Sequence, residues 1–491
     1  MASQPHHLHF VLIPLMAQGH LIPMVDMAKL LAQRGIAVTI VTTPLNAIRF
    51  NAITDRAIES GLPIRVLQLR FPSVEAGLPE GCESTDTVPS QNLVNNFFGA
   101  LEMLQQPLEQ VFEELQPRPS CIIADKHVVW AADTAKKFGI PRISFDGMSC
   151  FTLLCTHNLH ISKAHEGVPG SHDRFVVPGL PDHIEFTRAQ LPGQFNPGTL
   201  NMNHIRKRIR EAEMGAFGVV VNSFEELEAR YVGEYRKVDK VWCIGPLSLY
   251  NKEELDKAQR GNKASIDESQ CLKWLDKWKP SSVVYACLGS LANVAAPQLV
   301  ELGLALEASN CPFIWVIRGG DRTKELEKWM KEGGFEERTK GRGLLIRGWA
   351  PQVLILSHPA IGAFLTHCGW NSTLEGVCGG VPMITWPFFG EQFLNEKFVV
   401  EVLEIGVSVG AKAVVHWGTE HKCGVLVKRE EIRKGVERVM SEGKEGEERR
   451  KRAKELGEMA NRAIEEGGSS HLNITMLIQD IIQQAKNWSS C

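Results

Sequence analysis

An excess of charge of either sign is what the sequence most lacks. Its 54 Lys and Arg stand against 57 Asp and Glu, a formal net charge of -3 over 491 residues. So weak a balance leaves no electrostatic footprint for nucleic acid or an anionic membrane surface. Long apolar runs are missing as well, since no stretch approaches the roughly 18 uninterrupted apolar residues of a membrane span. The first ten residues carry no basic start leading into an apolar core, so no signal peptide is expected. The 12 cysteines include no C-x-x-C pair, which removes support for zinc-ribbon and thioredoxin-like readings. Thiols dispersed from Cys82 to Cys491 instead fit a reduced, cytoplasmic protein with buried Cys. What is present, 44% apolar and 23% charged residues, describes an ordinary globular chain too long for one compact core.

Strand and helix signals alternate along the chain. His9 to Pro14 reads as a short apolar strand, Gly19 as the opening of a loop, and Leu21 to Leu31 as a helix stopped by Gly35. Ile36–Thr42 is β-branched and continuous, as a strand buried on both faces is. Cys121–Ala124 and Arg142–Phe145 are further strands around a helix at Val129–Phe138. After the polar stretch Asn251–Gln270 the alternation restarts with strands at Ser282–Leu288, Phe313–Arg318, Gly343–Arg347, Ile361–Leu365 and Met383–Trp386. The pattern predicts an α/β protein with two doubly wound halves and a ligand cleft between them. The expected organisation is a domain over 1–245, a linker and mobile loop over 246–280, a second domain over 281–465, and a C-terminal helical segment over 466–491 that packs back on the body.

The most informative window, Trp349 to Gln392, reads WAPQVLILSHPAIGAFLTHCGWNSTLEGVCGGVPMITWPFFGEQ. A strand ends at Thr366, a turn follows through His367 and Gly369, and a helix starts near Asn371. Glycine at 369 allows close backbone approach to a ligand. Asn371 and Ser372 sit where a helix exposes unpaired N–H groups, a ready anion site that His367 can extend with a further hydrogen bond. Helix capping alone explains Asn371 and Ser372, but not the clustering of Trp349, Gln352, Glu375, Glu391 and Gln392 around them. A flat base platform, a ribose acceptor, a phosphate cap and a sugar clamp together describe a nucleotide-sugar pocket.

This block resembles the donor-binding signature of plant secondary-metabolite UDP-glycosyltransferases, glycosyltransferase family one, and the likeness extends from the N-terminal PLMAQGH to the C-terminal helix. The resemblance implies a GT-B fold, two Rossmann-like domains facing across a cleft, with UDP-sugar held mainly by the second. It implies that Trp349 stacks on uracil and that Ala350 bonds it through its backbone. Gln352 and Glu375 would hold the ribose, while His367, Asn371, Ser372 and Ser290 take the diphosphate. Trp370, Glu391 and Gln392 would face the sugar. In the family, glutamine at the last position of the block goes with glucose, so Gln392 favours UDP-glucose. The resemblance also favours a monomer.

Outside the block, His20 follows the first strand, at the carboxyl edge of the sheet where open α/β folds bind ligands. Transfer to a hydroxyl needs a base near neutral pH, and imidazole is the natural candidate. Asp125 closes a later strand, and a carboxylate on one imidazole nitrogen orients the ring and stabilises its protonated form. The resemblance matches His20 to the family's general base and Asp125 to its partner. No Asp-x-Asp occurs in the chain, so no metal is expected to hold the diphosphate and no cofactor beyond the UDP-sugar co-substrate. His6, His7 and His9 precede or open the first strand and are read as solvated rather than as a metal site.

Three residues depart from the family pattern. Lys126 and His127 replace a largely apolar pair, and Asp146 stands where a neutral or basic side chain is usual. Because the loops carrying them line the acceptor pocket in the family, they either meet a polar acceptor, pair with one another, or point to solvent. Acceptor identity, among flavonoids, other phenolics, triterpenoids and steroids, is not legible. A dinucleotide oxidoreductase lacks its G-x-G-x-x-G, since PLMAQGH holds only Gly19. An alternative from another class is a UDP-sugar-binding protein without transferase activity, which has no use for the His20 and Asp125 pair; a hydrolase that releases the sugar to water is a third, separated by whether product needs an acceptor.

Overall fold

The computed structural model describes residues 8–198, 202–318, 323–416, 419 and 423–488. In chain order its strands are β1 (His9–Ile13), β2 (Ala37–Thr42), β3 (Ile64–Gln68), β4 (Cys121–Asp125), β5 (Arg142–Asp146), β6 (Arg174–Val176), β7 (Glu185–Thr187) and β8 (Gly218–Val221). There follow β9 (Val241–Cys243), β10 (Val283–Cys287), β11 (Phe313–Ile317), β12 (Gly343–Arg347), β13 (Ile361–Thr366), β14 (Met383–Thr385) and β15 (Gly406–Ser408). The chain divides into two compact units. One comprises Met1–Met148, Leu200–Asn262 and Arg462–Cys491, the other Ser149–Thr199 and Lys263–Asn461.

The first unit is built on a seven-stranded parallel sheet in the order β3-β2-β1-β4-β5-β8-β9. β1, β4 and β5 are buried along their whole length; β1 and β4 accordingly read as near-continuous apolar runs, whereas β5 alternates polar and apolar residues and buries both sets. Phe10, Leu12, Ile40, Ile123 and Phe145 share one core with Leu21, Met24 and Leu31 of the helix Gln18–Gln33. Ile474, Leu477 and Ile481 of the terminal helix Ser469–Trp488 enter the same core. Trp242 fixes that helix by donating its indole N–H to Asp480 at 3.1 Å.

Charge hides part of this packing from a sequence reading. The polar run after Tyr250, expected as a mobile loop, is tied to the helix Gln18–Gln33. Arg260 meets Asp26 at 2.6 Å with both side chains buried, and Asn251 bonds Lys29 and Asp26 at 2.9 and 2.7 Å. Asp256 pairs with Lys29 and with Arg56. A helix face that carries Asp26 and Lys29 is covered by ions, not by apolar side chains, so low hydrophobicity in the covering segment does not mean freedom. His9 is a second difference. It opens β1 and is buried, with its ring nitrogens against the Pro117 carbonyl at 2.6 Å and Thr39 Oγ1 at 2.8 Å. Its imidazole is pushed down by burial, against the Pro117 hydrogen bond. His6 and His7 lie outside the described residues.

The second unit carries a six-stranded parallel sheet, β12-β11-β10-β13-β14-β15, and the antiparallel pair β6-β7. The segment Ser149–Thr199, which the sequence places in the N-terminal domain, packs here. Phe151 stacks on Phe398 with centroids 5.0 Å apart, and Thr152 donates to Asn395 at 3.0 Å. No disulfide joins the described cysteines. No described helix is long and apolar enough to cross a membrane.

Candidate active site

In the first unit, three neighbouring strand ends bring the candidate catalytic residues together. β1 and β4 are neighbours, with Ile13 opposite Ala124, and β5 flanks β4 with Phe145 opposite Asp125. The helix after β1 begins at Gln18, so His20 occupies its first turn rather than a loop. The apolar sequence after Gly19 lets the helix start early, and Pro23 inside it removes only one ladder bond. His20 Nδ1 lies 2.5 Å from Asp125 Oδ2. The second carboxylate oxygen accepts from the His127 backbone N–H at 2.9 Å and meets the His127 ring Nδ1 at 2.8 Å. One carboxylate therefore holds two imidazoles, whose rings stand at 83° with centroids 5.5 Å apart.

Burial divides the labour. The Asp125 side chain is 0% exposed, whereas those of His20 and His127 are 26% and 23% exposed. Burial alone would push the Asp125 carboxyl up, but the His20 charge and hydrogen bonds from His127 and His20 hold it well below the usual carboxylate range. The His127 imidazole is pushed down by burial, only partly offset by Asp125. With Nδ1 of His20 committed to Asp125, its base chemistry belongs to Nε2.

Lys126 and Asp146 find each other. Lys126 Nζ lies 2.9 Å from Asp146 Oδ2, with the two side chains 13% and 1% exposed. Burial opposes the Lys126 charge, but Asp146 and Glu213 outweigh it and raise the ammonium above its ordinary value. Glu213, from the helix Asn203–Met214, is itself pushed up to about 7 by burial, against the pull of Lys126. The two unfamiliar residues after Asp125 are thus both engaged by carboxylates.

The second unit presents the other predicted cluster at the carboxyl ends of β10 and β13. His367 is wedged between glycines: a Cβ on Gly289 would collide with its ring, and one on Gly369 would sit 2.5 Å from Nε2. Gly289 also has φ +80, a conformation that favours glycine. Burial and the nearby Arg318 push the His367 imidazole down to about 4, so it is a neutral donor, and its buried Nδ1 finds no partner among the described residues. The helix Trp370–Cys378 starts at this turn, with Asn371 and Ser372 in its first turn and the helix's positive end beside them. Ser290 lies in the turn after β10.

Gln352 joins the ribose candidates. Its amide donates to Ser372 at 3.0 Å and to Glu375 at 2.7 Å, while Tyr285 donates to its carbonyl at 3.2 Å. Trp349 exchanges bonds with Ser265, its N–H donating to Oγ at 3.0 Å and its carbonyl accepting from the Ser265 N–H at 2.8 Å. Ala350 is buried beside them. Two of the sugar candidates, Trp370 and Gln392, are buried. The Trp370 side chain is buried, with its ring 6.3 Å from Phe398. Gln392 is buried and its carbonyl accepts from the N–H groups of Phe388 and Phe389 at 2.8 and 3.1 Å. Glu391 beside it is half-buried.

Comparison with known proteins gives the family. The family described as "UDP-glucoronosyl and UDP-glucosyl transferase" matches residues 273–423, and "Glycosyltransferase, N-terminal domain" matches 6–249. The chain is 54% identical to UDP-glycosyltransferase 73C11 of Barbarea vulgaris over 99% of each chain, and 53% identical to UDP-glycosyltransferase 73C6 of Arabidopsis thaliana over 99% of this chain and 98% of that one. The chain belongs to the plant UDP-glycosyltransferases. Its fold is GT-B. The crystal structure of UGT73P12 from Glycyrrhiza uralensis, complexed with glycyrrhetinic acid 3-O-monoglucuronide, matches with TM-score 0.91 and 38% identity over 98% of this chain and 97% of that one. UGT89C1 of Arabidopsis thaliana, complexed with UDP-L-rhamnose, matches with TM-score 0.72 and 30% identity over 96% and 98%.

Several residues that shape this glycosyltransferase's clusters were not singled out in its sequence. Cys368 adopts φ 64, and the turn is held by Asn395, which donates to the Cys368 carbonyl at 2.9 Å. Ser265 supports Trp349 from a segment read as linker. Only pairing in space reveals either role, although the Gly-Ser step after β10 was a usable signal for Gly289.

Proposed function

We propose that the enzyme transfers glucose from UDP-glucose to a hydroxyl of a small lipophilic plant metabolite, with inversion at the anomeric carbon. The observation that carries the reading is the 2.5 Å contact between His20 Nδ1 and buried Asp125. Asp125 fixes the tautomer in which Nδ1 bears the proton and Nε2 is the base. The acceptor hydroxyl gives its proton to Nε2 as its oxygen attacks the anomeric carbon from the face opposite UDP. The imidazolium that forms is stabilised by the carboxylate. UDP leaves with negative charge growing on the diphosphate, which the start of the helix Trp370–Cys378, Asn371, Ser372, Ser290 and neutral His367 receive by hydrogen bonding. Trp349 and Ala350 would take uracil, and Gln352 with Glu375 the ribose.

Glucose rests on the resemblance at Gln392. With its carbonyl spent on Phe388 and Phe389, a sugar hydroxyl would accept from the amide nitrogen, while Glu391 accepts from a neighbouring hydroxyl. For the acceptor, a polycyclic alcohol of the triterpenoid or steroid type is favoured, because the Glycyrrhiza relative holds glycyrrhetinic acid 3-O-monoglucuronide; flavonoids and other phenolics come next. The same reading puts the enzyme in the cytosol, where dispersed thiols stay reduced. The test is product formation from UDP-glucose over a panel of triterpenoids, sterols, flavonols and simple phenols, in EDTA, beside His20→Ala. Glycoside from the wild type and none from the variant supports the reading. UDP binding without acceptor-dependent product from any panel member overturns it.

A further inference from the structure

We propose that His20, Asp125 and His127 form a binding site for a divalent transition-metal cation of the zinc type, and that its occupation switches off the base. One ligand atom from each of these residues lies within 4.8 Å of the others. Two imidazoles and one carboxylate are a recurrent zinc ligand set that leaves a fourth position for water. Here the carboxylate is central, with His20 on one oxygen at 2.5 Å and His127 on the other at 2.8 Å. Bonds of about 2.0–2.2 Å at tetrahedral angles put nitrogen and oxygen ligands about 3.3 Å apart. The two nitrogen–oxygen contacts therefore lengthen by about 0.8 and 0.5 Å on binding, from ligand atoms that already lie within 4.8 Å of one another. Both rings are about a quarter exposed, which gives them room and gives the cation a way in.

The surroundings favour a cation more than a lysine next to the site suggests. The Lys126 charge is matched by Asp146 at 2.9 Å, so it opposes the metal weakly. His127 is the decisive ligand, because His20 and Asp125 alone are a base and its partner and would hold a cation loosely. The Phe98 ring lies 6.4 Å from that of His127.

The consequence for catalysis follows from the tautomer. A metal on Nδ1 of neutral His20 moves the ring proton to Nε2, the atom that must accept from the acceptor hydroxyl. The imidazole stays neutral, but its base is spent. Inhibition therefore rests on the proposed role of His20, whereas metal binding does not. Free zinc would act as a reversible brake and a chelator as its release.

The test is a pair of titrations on the full-length enzyme. Co2+ is added to the wild type, His127→Phe and His127→Gln, and its visible absorption reports coordination. Zn2+ is added to the same proteins during transfer from UDP-glucose to the best panel acceptor, and inhibition is scored relative to each protein's own rate. The expected result is one Co2+ per chain with tetrahedral bands and no thiolate charge-transfer band. Zinc inhibition should reverse with EDTA, and the zinc concentration for half-inhibition should rise about tenfold or more in both variants. Circular dichroism confirms that each variant is folded, and the glutamine variant serves if the phenylalanine one is not. Equal zinc sensitivity in wild type and folded variants, thiolate bands, or no bound Co2+ overturns the site. A wild type that transfers normally and ignores zinc sinks this inference alone. A chain that binds Co2+ through His127 yet makes no glycoside sinks the proposed function and leaves the site standing.

Discussion

Replacing Asp125 with asparagine tests the shared carboxylate most sharply. Asp125 Oδ1 accepts from the His127 backbone N–H at 2.9 Å and faces the His127 ring at 2.8 Å, while Oδ2 faces His20 at 2.5 Å. An amide has only one oxygen, and the fixed backbone N–H of His127 claims it. The NH2 then faces His20 Nδ1, which must become an acceptor, so the proton moves to Nε2. Geometry survives and the base is lost. The same tautomer error in a Ser-His-Asp triad costs about 10^4 in kcat, or about 5.5 kcal/mol. A loss of about 10^3–10^4 in kcat is expected for Asp125→Asn, because the second imidazole already draws on the same carboxylate. The assay is acceptor-dependent UDP release under saturating donor, with UDP affinity measured by calorimetry. UDP affinity should hold within about twofold, since the donor residues belong to the other unit. A kcat within tenfold of wild type, or a parallel collapse of UDP binding, refutes the reasoning.

Three further outcomes follow from named contacts. Lys126→Met strands Asp146 as an unpaired buried carboxylate and should cost about 3–5 kcal/mol in urea unfolding, with much of the loss recovered when Asp146→Asn is added. Gly369→Ala drives a Cβ to 2.5 Å from the His367 Nε2. Losing that donor should weaken UDP binding by roughly ten- to a hundredfold in calorimetry. Burial pushes the Glu396 carboxyl from 4.5 up to about 7. Between those values the folded chain keeps a proton that the unfolded chain releases, so its contribution to stability is full below pH 4.5 and is lost as pH rises through 7. Glu396→Gln should therefore gain about 1–3 kcal/mol relative to wild type between about pH 4.5 and 7.5 in denaturant titrations.

Apolar continuity made much of the fold legible. β12 stands where the sequence puts it, and β1, β2, β4, β5, β10, β11, β13 and β14 differ at their ends by a residue or so. β3 carried no such signal. It is an edge strand with a mixed burial pattern, and edge strands need not be apolar on both faces. The polar cover on Asp26 and Lys29 was missed for the opposite reason, since its cohesion is ionic and side-chain charge reads as solvent exposure. In the site, spacing along the chain was enough to nominate the donor block, because all its residues but Ser290 fall within the single stretch Trp349–Gln392. It was not enough to show that Trp370 and Gln392 are buried, or that Ser265 bonds Trp349, Tyr285 bonds Gln352 and Asn395 bonds Cys368. Those are contacts between segments far apart in sequence. The pairing of Asp125 with His127 lay two residues apart in plain view, yet a loop residue after a strand has no fixed direction until the backbone is placed.

The central claim is acceptor-dependent, inverting transfer with His20 as the base. The most direct measurement is the anomeric configuration of the glycoside made from UDP-α-glucose, read by proton NMR from the coupling of the anomeric proton, with His20→Ala run in parallel. The account predicts a β-glucoside from the wild type and no detectable product from the variant. An α-glucoside, or a variant that makes β-glucoside at the wild-type rate, contradicts it.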